Sequence, residues 1–139
     1  MRFLLDTNIV VDIISKREGY EDSLQILKYC EINRAKGFVS AATVTDVMYI
    51  LRKHIAPEAV RDAVQTLLFI IDVADVLKSD IQSAFLSDMK DFEDAVQSSC
   101  AGRIKADYIV TRNIKDYKKS TVPAISPAEA LKLLKAEKA

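Results

Sequence analysis

Apolar residues in this chain come in short blocks, separated by longer stretches where they recur every three or four positions. That rhythm predicts strands alternating with amphipathic helices. Arg2 to Leu5 is an apolar run stopped by Asp6, the pattern of a buried strand. From Thr7 to Ser15, Ile9, Val10, Ile13 and Ile14 fall at helical spacing. Tyr20 to Lys36 predicts a second helix, closed by Gly37, and Phe38-Val39-Ser40 a short strand. Thr43 to His54 is helical in pattern, and Pro57 opens another helix running to about Leu68. Ile70 to Val73 reads either as a third strand or as the end of that helix. Ser79 to Ser87 and Asp91 to Gly102 repeat the helical spacing, and Tyr108-Ile109-Val110 and Val122 to Ile125 read as strands. Ser126-Pro127-Ala128-Glu129 then opens a last helix, with Ser at the N-cap, Pro at the first helical position and Glu completing a capping box.

Strands that are apolar on both faces and alternate with helices imply a parallel sheet covered on both sides. The expected fold class is a three-layer α/β/α sandwich. At 139 residues, without a repeat or a Pro/Gly/Ser linker, the chain reads as one domain over 1–139. Half of the residues are hydrophobic, enough for a core without disulfides.

Composition removes several functions. Lys plus Arg and Asp plus Glu number 20 each, so the formal net charge is zero and a tail-driven polybasic binder is excluded. Any nucleic acid must be held by a local patch. The longest apolar run, Leu67 to Ile71, is far short of a membrane span, and Asp6 interrupts any signal-peptide core. The expected compartment is therefore the cytoplasm, with no membrane partner. Cys30 and Cys100 lack zinc-site spacing and read as buried thiols. His54, the one histidine, lies beside Arg52 and Lys53 and reads as a surface or capping residue. The three glycines are scattered, which excludes a P-loop or a dinucleotide-binding turn.

Candidate chemistry lies in the carboxylates. Ligands of open α/β sheets bind outside the carboxyl ends of the strands. Asp6 sits at such an end, and Asp46 lies just beyond the Phe38 strand. Asp116 follows the Tyr108 strand, and Asp94 lies early on the helix feeding it. Each acid alone also reads as a solvated or capping residue: Asp6 as an N-cap, Asp91 and Asp94 as caps of their helix. Asp72, Asp75, Asp80 and Asp88 are assigned to solvated surface. Together, the four acids of distant segments can share one rim. Two unit charges 4 Å apart repel by about 4 kcal/mol at an effective dielectric near 20. A shared rim therefore needs protonation or a multivalent cation. Oxygen ligands select Mg²⁺ or Mn²⁺, and such ions suit phosphodiester hydrolysis by acidifying a water and stabilising the leaving oxygen.

Four motifs now stand in order: Leu4-Leu5-Asp6-Thr7-Asn8, Val39-Ser40-Ala41-Ala42-Thr43, Phe92-Glu93-Asp94-Ala95 and Val110-Thr111-Arg112-Asn113-Ile114-Lys115-Asp116-Tyr117. In order and spacing they resemble the PIN-domain nucleases, in particular bacterial PIN proteins close to VapC-type toxins, over essentially the whole chain. The resemblance implies a five-stranded parallel sheet, a Mg²⁺ or Mn²⁺ site and cleavage of single-stranded RNA. It implies Asp6, Asp94 and Asp116 as catalytic metal ligands. Asp46 falls where many members carry Glu, and its shorter side chain suits a water-bridged contact. Asn8, Thr111 and Asn113 match polar residues that orient the acids or bond a phosphate. Glu93 and Asp91 rank behind the four acids, since Glu93 is turned about 100° from Asp94.

A polyanion also needs cations. Arg103, Lys105, Arg112, Lys115, Lys118 and Lys119 form a local basic surplus expected to bind phosphates beside the acids. Arg103, Lys105, Arg112 and Lys115 are the candidate RNA-binding residues, while Tyr117 is expected to pack on the sheet edge. By resemblance, the partners are an RNA substrate, an antitoxin protein and a second copy in a homodimer. Two other functions are weighed. An aspartyl-phosphate phosphatase using Asp6 needs an acid two positions on, where this chain has Asn8. A non-catalytic PIN-fold module binding RNA or protein is left open by Asp46.

Overall fold

A computed structural model of the chain describes residues 1–137. The strands are β1 (Arg2–Leu5), β2 (Lys36–Ser40), β3 (Asp72–Ala74), β4 (Tyr108–Val110) and β5 (Ala124–Ile125). The helices are α1 (Thr7–Ser15), α2 (Tyr20–Glu31), α3 (Ala41–Leu51), α4 (Pro57–Leu67), α5 (Lys78–Leu86), α6 (Phe92–Arg103) and α7 (Pro127–Ala136). A 3-10 turn covers Ile114–Tyr117. All strand pairs are parallel, in the order β3-β2-β1-β4-β5. No helix of the described residues is long and apolar enough to cross a membrane.

Strand periodicity sorts the core into two layers. Phe3, Leu5, Val39 and Val110 point into the larger one, against Ile9, Val10, Ile26, Val47, Val60 and Leu134 of the helices on that face. The alternate residues Leu4, Phe38 and Ile109 point the other way, onto Ala101 of α6, Tyr117 and Val122. Helices α5 and α6 share a third cluster through Ala84, Ala95, Val96 and Cys100. Both cysteines are buried and free.

The chain steps outward from β1 to β2 and β3, then crosses back over the other face through α5 and α6 to reach β4. Strand order therefore reverses between β1 and β4, and the carboxyl ends of these two strands frame a crevice.

The fold class matches the sequence expectation, with local shifts. The second helix stops at Glu31 rather than Lys36, because Asn33 takes a left-handed conformation and Lys36 pairs with Arg2 in the sheet. The third strand falls at Asp72–Ala74, since Phe69, Ile70 and Ile71 still donate their N–H groups back to the end of α4. The helix after β2 starts early, at Ala41, because the Ser40 hydroxyl accepts the Thr43 N–H at 3.2 Å. The last helix has the predicted Ser126–Glu129 capping box.

Candidate active site

Asp6 ends β1 and caps α1, so one residue serves both local structure and the crevice. One carboxylate oxygen accepts the Thr7 N–H at 2.7 Å. The other accepts the Thr111 hydroxyl at 2.8 Å and the Asn8 amide at 3.3 Å. Asn8 also donates to Thr111 at 3.2 Å, and its carbonyl accepts the Arg112 N–H at 3.3 Å. The ends of β1 and β4 are thus laced together, with Asp6 buried among donors. The Asn113 N–H joins this lacing by donating to Thr111 at 3.0 Å.

Asp94 enters from the first turn of α6, whose N-cap is Asp91; the Asp91 carboxylate accepts the Asp94 N–H at 2.9 Å. The Tyr117 hydroxyl donates to the Asp94 carboxylate at 3.2 Å. Burial, then the charges of Asp6 and Asp91, push the Asp94 carboxyl up to about 6, against the relief given by Tyr117; Asp116 adds to the rise. Three of the expected acids, Asp6, Asp94 and Asp116, therefore lie within mutual electrostatic reach. Tyr117 is buried as expected, and burial with Asp6 and Asp94 nearby raises its hydroxyl pKa.

Asp46 is placed differently. It lies at hydrogen-bonding reach of Glu93, and that bond, then burial and neighbouring charge, push Glu93 up to about 7. Glu93, expected to rank behind Asp46, is thus its direct partner.

The acid rim borders a cleft of about 500 Å³ lined by Asp91, Asp94 and Asp116 and by Lys90, Lys115, Lys118 and Lys119. Arg112, at the end of β4, bonds Asp12 through its Nε at 2.6 Å. Burial lifts the Asp12 carboxyl above its usual range despite Arg112 and Arg17.

Two expected cations do not belong here. Arg103 ends α6, about 14 Å along the axis from Asp94, and its guanidinium pairs with Asp80 at 3.0 Å and with the Asp75 carbonyl. Lys105 sits in a left-handed turn ahead of β4, toward the amino end of the sheet. Sequence proximity to β4 misplaced both, because α6 runs the length of the sheet away from the rim. Asp80, assigned to solvated surface, is instead 1% exposed. Burial opposes its charge, but bonds from Arg103, the Leu77 N–H, Ser99 and Cys100 outweigh that and hold its pKa below the usual value.

Sequence reading missed Gln97 and Asp12. Gln97 is buried one turn after Asp94 and donates to Asp6 at 3.4 Å and to the Thr43 hydroxyl at 3.2 Å. Its i+3 spacing from Asp94 was the available signal. Asp12 gave none, since its partner Arg112 is a hundred positions away in sequence.

The donor set at the rim is all oxygen and its charges repel, which fits a hard divalent cation in type and charge. Among the described residues, no three His, Cys, Asp or Glu side chains stand, as placed, close enough to hold an ion. Their oxygens are engaged by Thr7, Thr111, Asn8, Gln97 and Tyr117 instead.

Fold and rim together define a three-layer α/β/α protein with a carboxylate cluster at its topological switch point. A PIN domain family model matches residues 2–115, and the chain belongs to that family. No curated protein matches it by sequence. Its fold is similar to a chain of VapBC2 from Rickettsia felis, bound to a DNA fragment from their promoter, with TM-score 0.74 and 19% identity over 91% of this chain and 98% of that one. DNA-bound VapBC from Salmonella typhimurium gives TM-score 0.72 and 17% identity, again over 91% and 98%. VapC20 of Mycobacterium tuberculosis, a sarcin-ricin loop cleaving toxin, gives 0.60 and 12% over 77% of this chain and 86% of that one.

Proposed function

We propose that this PIN-domain protein is a metal-dependent endoribonuclease and the toxin of a type II toxin–antitoxin pair, working in the cytoplasm. The observation that carries this reading is the crowding of Asp6 from β1 and Asp94 from α6 at the switch point, bonded by Gln97 and Tyr117, with the raised Asp94 carboxyl in keeping. Such crowding is unfavourable for stability and suits a site that receives a cation. The toxin–antitoxin structures that share its fold support the partner, and a toxin that cleaves the sarcin-ricin loop supports the RNA substrate.

Asp6, Asp94 and Asp116 would hold Mg²⁺ or Mn²⁺, with Asp46 joining through water. When bound, the ion supplies Lewis acidity toward water and phosphate oxygen. The chain's own residues do the rest. Thr7, Thr111 and Asn8 orient the Asp6 carboxylate, and Tyr117 orients Asp94. Asn113, with Asn8 and Thr111, faces the phosphate. Glu93, pushed up to about 7 beside Asp46, supplies a carboxyl that can carry a proton near neutral pH. Arg112 and Lys115, with Lys118 and Lys119, bind phosphates flanking the cleaved bond. A second copy in a homodimer completes the expected assembly.

The test is cleavage of labelled RNA by purified protein in Mg²⁺ or Mn²⁺. Cleavage that stops with EDTA and with Asp6→Asn or Asp94→Asn supports the reading; cleavage unchanged by these refutes it. Failure of the intact fold to bind Mn²⁺ favours the non-catalytic module instead.

A further inference from the structure

The acids of the rim arrive on separate elements, and their like charges push those elements apart. What holds them lies directly beneath. Gln97 is 2% exposed, and its amide nitrogen bridges the Asp6 carboxylate at 3.4 Å and the Thr43 hydroxyl at 3.2 Å. Thr43, also buried, shares a hydrogen bond with Thr7 at 3.0 Å and accepts one from Ser40 at 3.3 Å. The spacing is reciprocal. Helix α6 gives Asp94 to the rim and Gln97, three positions later, to the layer below. Helix α3 carries Asp46, beside Glu93, and gives Thr43, three positions earlier, to the same layer.

Packing does not account for Gln97. Its carbonyl oxygen is buried with no hydrogen-bond partner, a penalty that an apolar side chain of equal size would avoid. The donating end is what the site uses.

We propose that Gln97 is a positioning residue for Asp6. Its amide ties the Asp6 carboxylate to α3 and α6 against repulsion from Asp94, and so fixes the spacing at which the rim receives a divalent cation. This rests on the metal-dependent reading above.

Gln97→Met keeps length and bulk and removes both hydrogen bonds. Mn²⁺ is titrated into the full chain, wild type and Q97M, by calorimetry and by the Mn²⁺-induced rise in melting temperature. The expected result is a folded variant whose Mn²⁺ affinity falls roughly 10–100-fold, with kcat on RNA reduced and KM unchanged. Ser98→Ala, the next residue on α6, loses its 2.7 Å bond to Ser120 and is expected to leave Mn²⁺ affinity unchanged. Should Q97M fail to fold, Thr43→Val cuts the same amide from α3 and is expected to lower Mn²⁺ affinity several-fold. Equal affinity in wild type and the folded variant overturns the inference and spares the nuclease reading. A wild-type protein without Mn²⁺ affinity overturns both.

Discussion

Neutralising Asp94 should strengthen the metal-free fold while abolishing activity. The Asp94 carboxyl rises from 3.8 to about 6, chiefly through burial and then through Asp6 and Asp91. Such a rise corresponds to about 3 kcal/mol of penalty on the charged form. Solvent reaches this half-buried group, and screening reduces the figure to ~1–2 kcal/mol. Against it stands the favourable position of an acid in the first turn of α6, worth roughly 0.3–1 kcal/mol. Asp94→Asn keeps an acceptor for Tyr117, so the net gain at pH 8 is on the order of 1 kcal/mol, or about 3–5 °C in melting temperature.

The sign follows from linkage. A carboxyl whose pKa is raised on folding binds more protons in the native state, so its stability contribution is present below pH 4 and lost as pH rises through about 6. The advantage of Asp94→Asn should accordingly be largest at pH 8 and nearly vanish at pH 4. Urea unfolding in EDTA at both pH values measures it. A variant less stable than wild type at pH 8, or equally advantaged at both, refutes a repulsive cluster around Asp94.

Arg103→Met should remove the cation beside buried Asp80 while the Leu77, Ser99 and Cys100 bonds remain, lowering stability by about 1–3 kcal/mol in urea unfolding, without changing the RNA cleavage rate of the folded fraction. Asp46→Ala should return Glu93 from about 7 toward 4.5, because the bond from Asp46 is the largest cause of its rise, as read by carboxyl ¹³C titration. Lys115→Ala should weaken RNA binding and flatten its salt dependence in fluorescence anisotropy, while Lys105→Ala should leave both unchanged.

What the sequence disclosed was local and periodic. The first strand and first helix, the β4 strand and the Ser126 cap follow from short-range rules, and they appear at the predicted positions. The approach of Asp6 to Asp94 was legible because a strand end and the start of a crossing helix meet at one edge of a parallel sheet. Tertiary partners were not legible. Asp80 looks like any surface acid until Arg103, 23 positions on, is seen beside it. The placement of Arg103 and Lys105 failed for a related reason: membership of one basic stretch says nothing when α6 has carried both to the far end of the sheet. Gln97 was missed because a neutral amide carries no charge, and its i+3 spacing from Asp94 was the one sign of its place beneath the rim.

Repelling aspartates from the end of β1, from α6 and from the segment after β4 would gather to accept one class of ion. Diffraction from crystals grown with Mn²⁺, using its anomalous signal, tests this most directly. The account predicts a peak coordinated by oxygens of Asp6 and Asp94, with Asp116 directly or through water; Mn²⁺ at saturating concentration with no peak at this rim would contradict it.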